Sequence, residues 1–301
     1  MRNFDDLELH ANGLTFSALT QGEREGEGEG KREVVICLHG FPDHARSFRF
    51  QLPALADAGY RAIAPTMRGY ELSSQPADAD YHLVRMAEDV VGWLDDLGVE
   101  RAHLVGHDWG AAIAYIAGAL APDRFASLTT LAVPYGGRLQ QGIRKVPSQI
   151  LNSWYMIFFQ LRGVADFAVE MRDWALIDKL WRDWSPGWDP GDEERSALKR
   201  TLAQPGVKAA ALGYYRAMFD TRSEAAKQTR TLSDAKVNVP TLAFTGALDG
   251  CIDTRLYDYT MLDEDFPRGL EVFRMEGAGH FLHQEKPEEF NTLLLDWLKR
   301  W

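Results

Sequence analysis

The chain has 301 residues and 46% hydrophobic content, enough for a substantial core, and its length suits one large domain or two smaller ones. A formal charge of −11 without a local basic cluster argues against nucleic acid, whose binding rests on neutralising phosphates with Lys and Arg, and points to a small-molecule substrate. Cys37 and Cys251 are too few for a disulfide framework and read as inert packing residues in a reducing compartment. Residues 1 to 6 are polar with no apolar leader, and the longest apolar stretch, residues 109 to 122, is too short to span a bilayer. The expectation is a cytoplasmic protein that does not engage membranes.

Residues 6 to 20 alternate apolar and polar around Asn12-Gly13, the signature of a hairpin of two antiparallel strands. Residues 22 to 31, a run of Gly, Glu and Arg, read as a solvated loop. A β-α-β pattern follows. Buried-strand runs at 34–38, 62–65, 102–105 and 128–133 alternate with helix-period segments, one of which places Leu83, Met86, Ala87, Val90, Leu94 and Leu97 on one face. This predicts an α/β protein whose mostly parallel sheet carries helices on both faces. From about Tyr135 to Ala235 no strand signal occurs, and Trp154, Trp174, Trp181, Trp184 and Trp188 sit among charged, helix-forming residues. Strand signals resume at 239–244 and 270–275, and residues 287 to 301 read as a closing amphipathic helix. The expected domains are a core of residues 1–134 and 236–301 and an inserted helical cap of residues 135–235.

Gly106-His107-Asp108-Trp109-Gly110 has the small-x-nucleophile-x-small form of a strand-to-helix elbow, with Asp where hydrolases usually carry Ser. An apolar run precedes it and an Ala-rich helical run, residues 111 to 117, follows. A carboxylate, with a reference pKa of about 3.9, is ionised at neutral pH and attacks a saturated carbon without a base, leaving an ester on the protein. The structural alternative is an Asp that merely caps the following helix. Asp249 closes a short turn after the strand at 239–244, and His280 closes another after the strand at 270–275. The order nucleophile, acid, histidine is that of the α/β-hydrolase fold, and residues at the carboxyl ends of parallel strands converge in one crevice. Asp253 and His283 are the rival acid and base, but the tight Gly-containing turns favour Asp249 and His280. After the strand at 128–133 only Pro134, Tyr135 and glycines follow, so no carboxylate competes there. His10, His44, His82 and His103 read as structural. In Leu38-His39-Gly40-Phe41-Pro42-Asp43, Gly40 and Pro42 make a sharp turn, which a cis peptide before Pro42 would tighten, aiming the Phe41 N–H at the nucleophile. With the Trp109 N–H it forms an expected oxyanion hole. No metal-ligand spacing or phosphate-binding glycine loop occurs, so no cofactor or metal is expected.

Those segments, HGFPD, GHDWG, the turn at 246–249 and GAGHFLHQEKPEEF, together resemble the α/β-hydrolase epoxide hydrolases over nearly the whole chain, cap included. The resemblance implies an α/β-hydrolase fold, a small apolar epoxide and water as substrates, and two cap tyrosines that donate hydrogen bonds to the epoxide oxygen. It carries those roles to Tyr155, within residues 154–160, and Tyr215, within residues 214–218, with Tyr214 as the alternative and cap packing as the bland reading. Phe41, Trp109, Tyr155 and Tyr215 would line the substrate. Haloalkane dehalogenases resemble the same core, and Trp109 suits both, but Phe41 lacks the polar side chain some of them use there to hold halide. Fluoroacetate dehalogenases use arginines where Trp109 and Ala112 stand. A non-catalytic ligand sensor would have no need of acid, base and nucleophile together. Monomer and homodimer are both compatible with the sequence.

Overall fold

Strands β1 (Asp5–Ala11) and β2 (Leu14–Gln21) form a hairpin whose turn residues Asn12 and Gly13 both have positive φ, the backbone a two-residue connection between twisted strands requires. This computed structural model describes residues 4–22 and 32–301. Residues 1–3 of the polar N-terminus, and residues 23–31 of the expected loop, lie outside the described residues. Strands β3 (Val34–Leu38), β4 (Arg61–Pro65), β5 (Ala102–His107), β6 (Phe125–Leu131), β7 (Thr241–Gly246) and β8 (Leu270–Met275) complete one sheet in the order β1-β2-β4-β3-β5-β6-β7-β8. Among the described residues only the β1–β2 and β2–β4 pairs are antiparallel.

Helices α1 (Gln51–Asp57), α2 (Leu83–Asp96) and α3 (Trp109–Leu120) alternate with the early strands. Between β6 and β7 come α4 (Leu139–Lys145), α5 (Ser148–Asn152), α6 (Trp154–Phe158), α7 (Val164–Trp184), α8 (Asp192–Leu202), α9 (Val207–Ala217) and α10 (Glu224–Ser233). Helix α7 is interrupted where Arg172, Asp173 and Trp174 take positive φ. The short α11 (Tyr257–Thr260) and α12 (Leu282–Glu285) precede the closing α13 (Pro287–Leu298).

Every residue of β3, β5, β6 and β7 is buried, because both faces of the sheet are covered and alternate side chains serve opposite layers. In β3, Ile36 and Leu38 face the layer that contains Val90, Trp93 and Leu94 of α2 and Ile113 of α3. Val35 and Cys37 face the opposite layer, with Leu52 and Leu55 of α1 and Phe290, Leu294 and Trp297 of α13. Side chains of this size each stabilise by about 1.5–3 kcal/mol when fully buried, so the two layers fix the sheet and with it the loops at its carboxyl edge. β6 begins at Phe125, ahead of its apolar run, since Ser127 is accommodated by a 2.8 Å hydrogen bond between its Oγ and His103 Nδ1. The run in β8 marks an edge strand instead of a buried one: Val272 and Phe273 are exposed. No helix among the described residues is long and apolar enough to cross a membrane.

Candidate active site

Strand β5 ends at His107 and α3 begins at Trp109, so Asp108 alone makes the turn between them, at φ 52° and ψ −115°. A non-glycine residue there stores of order 1–3 kcal/mol of strain and persists only when its surroundings hold it. They do so through the Asp108 N–H, which donates to Leu131 O at 3.0 Å, and the Ala111 and Ala112 amides, which donate to Asp108 O. The elbow also needs a bare backbone: a Cβ on Gly106 would sit 2.2 Å from Gly110 O. The Asp108 side chain does not cap α3. Instead the Phe41 N–H donates to Oδ1 at 2.7 Å, from a turn in which the Phe41–Pro42 peptide is cis. The Trp109 N–H, first of the helix, has no acceptor within it. Asp108 is not exposed, although the elbow alone suggests it; it is 5% accessible, with the buried aromatics of α6 and α9 over it.

His280 stands between the two carboxylates. Its Nδ1 lies 2.9 Å from Asp249 Oδ2 and its Nε2 3.5 Å from Asp108 Oδ2. Asp249 Oδ1 accepts the Cys251 and Ile252 amides at 2.7 and 2.9 Å, which satisfies the anion and leaves the imidazole to donate to Oδ2. Burial works against a charged His280, but Asp249 and then Asp108 outweigh it and raise its pKa from 6.5 to about 10. The rivals lie elsewhere. His283 Nε2 is 2.7 Å from Ser47 Oγ, and burial, then His107, holds its pKa well below the ordinary value. Asp253 binds Arg255 and Ser148. His10, His44 and His82 pair with carboxylates, and His103 with Ser127.

Above this group sit Tyr155 of α6 and Tyr215 of α9, their ring centroids 5.6 Å apart. Tyr215 packs edge-on against Trp109 at 5.0 Å and Phe41 at 5.3 Å, and Tyr155 packs on Trp184, which touches the His280 ring at 5.1 Å. Tyr155 Oη is 3.3 Å from Cys251 Sγ, whereas Tyr215 Oη, also enclosed, has the Trp109 side chain as a polar neighbour but makes no well-formed hydrogen bond among the described residues. Tyr214 Oη is committed: it donates to Arg68 O at 2.6 Å. Burial, then Cys251 for Tyr155 and Asp108 for Tyr215, raises both phenols well above 10, so each stays a neutral donor.

Several contacts escaped sequence reasoning. Trp184 O accepts both the Gly250 and the His280 amides, at 3.1 and 3.0 Å, tying the acid and histidine loops to the end of α7. Ser185 Oγ accepts the Phe281 N–H at 3.1 Å and donates to Glu285 Oε1 at 2.6 Å, while Glu285 Oε2 accepts the Gly279 N–H at 2.8 Å. Trp181 Nε1 donates to Pro42 O at 2.7 Å. Cys251, read as inert packing, is buried at the site, where its amide donates to Asp249 and its Sγ lies 3.3 Å from Tyr155 Oη. Two groups among the described residues bring metal-ligating atoms within 4.8 Å of one another, Asp43 with His107 and His283, and Asp249 with Cys251 and His280. In the first, Asp43 Oδ2 already accepts from Ser47 and Gln284; in the second, acid and imidazole bind each other.

Residues 33–287 match the family described as alpha/beta hydrolase fold. Epoxide hydrolase A of Mycobacterium tuberculosis is 35% identical over 90% of this chain and 92% of its own length. Among solved structures, epoxide hydrolase A from Mycobacterium thermoresistibile superposes with a TM-score of 0.79 at 28% identity, over 99% of this chain and 98% of that one. Epoxide hydrolase VrEH1 from Vigna radiata does so with 0.84 at 25% identity, over 100% and 99%.

Proposed function

The chain belongs to the α/β-hydrolase fold family and, within it, to the epoxide hydrolases, and from that premise we propose that it adds water to a small apolar epoxide through an ester on Asp108. The carrying observation is His280 held between Asp249 and Asp108 beneath a buried phenol with a free hydroxyl. Asp108 Oδ2 attacks a ring carbon and the C–O bond breaks, while Tyr155 and Tyr215 donate to the leaving oxygen. Residues 135–235 act as the cap that brings those phenols over the sheet and keeps bulk water away.

The proton balance follows from the charges. With its pKa raised to about 10, His280 starts the cycle protonated, its Nδ1 donating to Asp249 and its Nε2 3.5 Å from Asp108. Ester formation removes the charge of Asp108, so the imidazolium loses one of its two supports. Its proton passes by way of the phenols to the alkoxide, leaving an alcohol, an ester and a neutral imidazole. That imidazole, oriented by Asp249, takes a proton from water as the water oxygen adds to the ester carbonyl. Oδ1 carries the developing charge against the Phe41 amide already bonded to it, joined by the Trp109 amide. Collapse releases a vicinal diol and restores carboxylate and imidazolium. A cytoplasmic setting is supported by two buried, unpaired cysteines.

The test uses styrene oxide and 1-chlorobutane side by side. Diol without chloride is expected, and chloride release instead would replace this reading with dehalogenation, which Trp109 also suits. Asp108→Ala should abolish diol formation, and His280→Gln should accumulate protein heavier by one epoxide in a mass spectrum. Normal turnover by Asp108→Ala would overturn the mechanism.

A further inference from the structure

Along residues 148–171 most of the exposed side chains are apolar, Arg162 and Glu170 being the charged exceptions. Leu151, Trp154, Ile157 and Leu161, on α5, α6 and the turn that follows, are continued on α7 by Val164, Phe167 and Met171. They recur at intervals of three, three and four across two short helices, a turn and the first part of α7, as far as its break at Met171, and each is between 40% and 77% exposed. The opposite side of the same segment is spent inward, on Tyr155, Phe159, Ala165 and Val169. Both halves of the stripe are fastened to the end of α9. Gln160 Nε2 donates to Tyr215 O, and Arg216 donates to Phe159 O and pairs with Asp166. This brings the exposed Met218 and Phe219 beside it.

We propose that this face is the interface of a symmetric homodimer. At about 150–200 Å² per large side chain, the seven exposures leave roughly 600–800 Å² of apolar surface, before Met218 and Phe219 are added. That exceeds the roughly 300–600 Å² patch of an ordinary monomer and approaches the roughly 800 Å² each partner buries in a stable complex. A two-fold interface pairs a patch with itself, so it must tolerate its own charge. Residues 148–171 carry Arg162 against Asp166 and Glu170, a net charge of −1, in a chain of −11. Self-association is therefore only weakly opposed by charge here. An anionic bilayer, by contrast, is held through a cluster of Lys and Arg beside the apolar face, and here the basic pair Arg144 and Lys145 that precedes the stripe is balanced by Asp166 and Glu170 within it. Because α6 shows Trp154 and Ile157 outside and Tyr155 inside, the partner would brace the helix that carries a site phenol.

Sedimentation velocity over a concentration series tests this independently of any activity. The wild type should sediment at twice the chain mass, and Ile157→Glu with Phe167→Glu at the chain mass with an unchanged far-UV spectrum. Val272→Glu with Phe273→Glu, on the exposed edge strand, should remain dimeric. A wild type at the chain mass throughout, a dimer that survives the stripe substitutions, or one lost through the edge-strand pair would overturn the proposal. So would a monomer that floats with phosphatidylcholine vesicles, which would make the stripe a membrane face.

Discussion

Tyr215→Phe should make the protein more stable and much less active, whereas Tyr214→Phe should make it less stable and leave turnover nearly unchanged. The Tyr215 hydroxyl is buried beside the Trp109 side chain without a well-formed hydrogen bond among the described residues, so little offsets the cost of enclosing it, which reaches about 1–3 kcal/mol for an unsatisfied hydroxyl. Deleting that oxygen alone keeps the ring contacts with Trp109 and Phe41, so unfolding should become costlier by about 1 kcal/mol or more. If the oxygen donates to the opening epoxide, its loss should lower kcat/KM by about 10²-fold, near 2.7 kcal/mol, with Tyr155 still present to share the role. Tyr214 lies one residue away with the opposite balance. Removing its hydroxyl breaks the 2.6 Å bond to Arg68 O and strands a buried carbonyl, so stability should fall by about 1–2 kcal/mol while turnover stays within a few-fold. Urea unfolding followed by tryptophan fluorescence, with diol formation from styrene oxide, reads both quantities on each variant. A Tyr215→Phe protein that is less stable with normal turnover would refute the reasoning, as would loss of turnover in Tyr214→Phe alone.

A Cβ on Gly40 would lie 2.4 Å from both Cβ and Oδ1 of Asp108, so Gly40→Ala should push the nucleophile aside and cut kcat by about 10²-fold, measured with far-UV dichroism as a folding control. Ser185→Ala removes the hydroxyl that joins the Phe281 amide to Glu285, so kcat should fall by about tenfold with a smaller change in KM; an unaltered kcat would show that the histidine loop holds itself. The pKa of His280 is raised in the fold from 6.5 to about 10, so its contribution to stability is complete below about pH 6.5 and is lost as pH climbs through 10. Denaturation at pH 6 and pH 9 should show a steeper loss in the wild type than in His280→Gln, and parallel losses would rule out the doubly paired imidazolium.

What could be read from sequence was what local sterics demand. The elbow is legible because no other arrangement needs glycine at both 106 and 110 around a short polar residue, between an apolar run and an Ala-rich one. The buried parallel strands are legible because both of their faces are covered, which turns alternation into an unbroken apolar run. The same signal misleads at β8, where Val272 and Phe273 look like core but lie at the sheet edge. It falls short at β6, where Ser127 interrupts the apolar run and only a cross-strand histidine explains why it belongs.

The upper half of the site was less legible, because it depends on contacts between distant residues. Tyr214 and Tyr215 are equivalent in sequence, and one step along a helix turns a side chain by about 100°. Which phenol faces the nucleophile depends on the Arg68 carbonyl, 146 positions away, which takes up the hydroxyl of Tyr214 and so fixes the rotation of α9. Ser185 and Glu285 are 100 residues apart, and neither carries a motif of its own. Their partnership arises only because Trp184 O has drawn the amides of Gly250 and His280 to the end of α7. The acid and base are thus placed twice, by short turns from the sheet and by a carbonyl from the helices above it. A displacement of α7 would therefore disturb the loops of Asp249 and His280 at once, which couples the packing of the helices over the sheet to the alignment of Asp249 with His280.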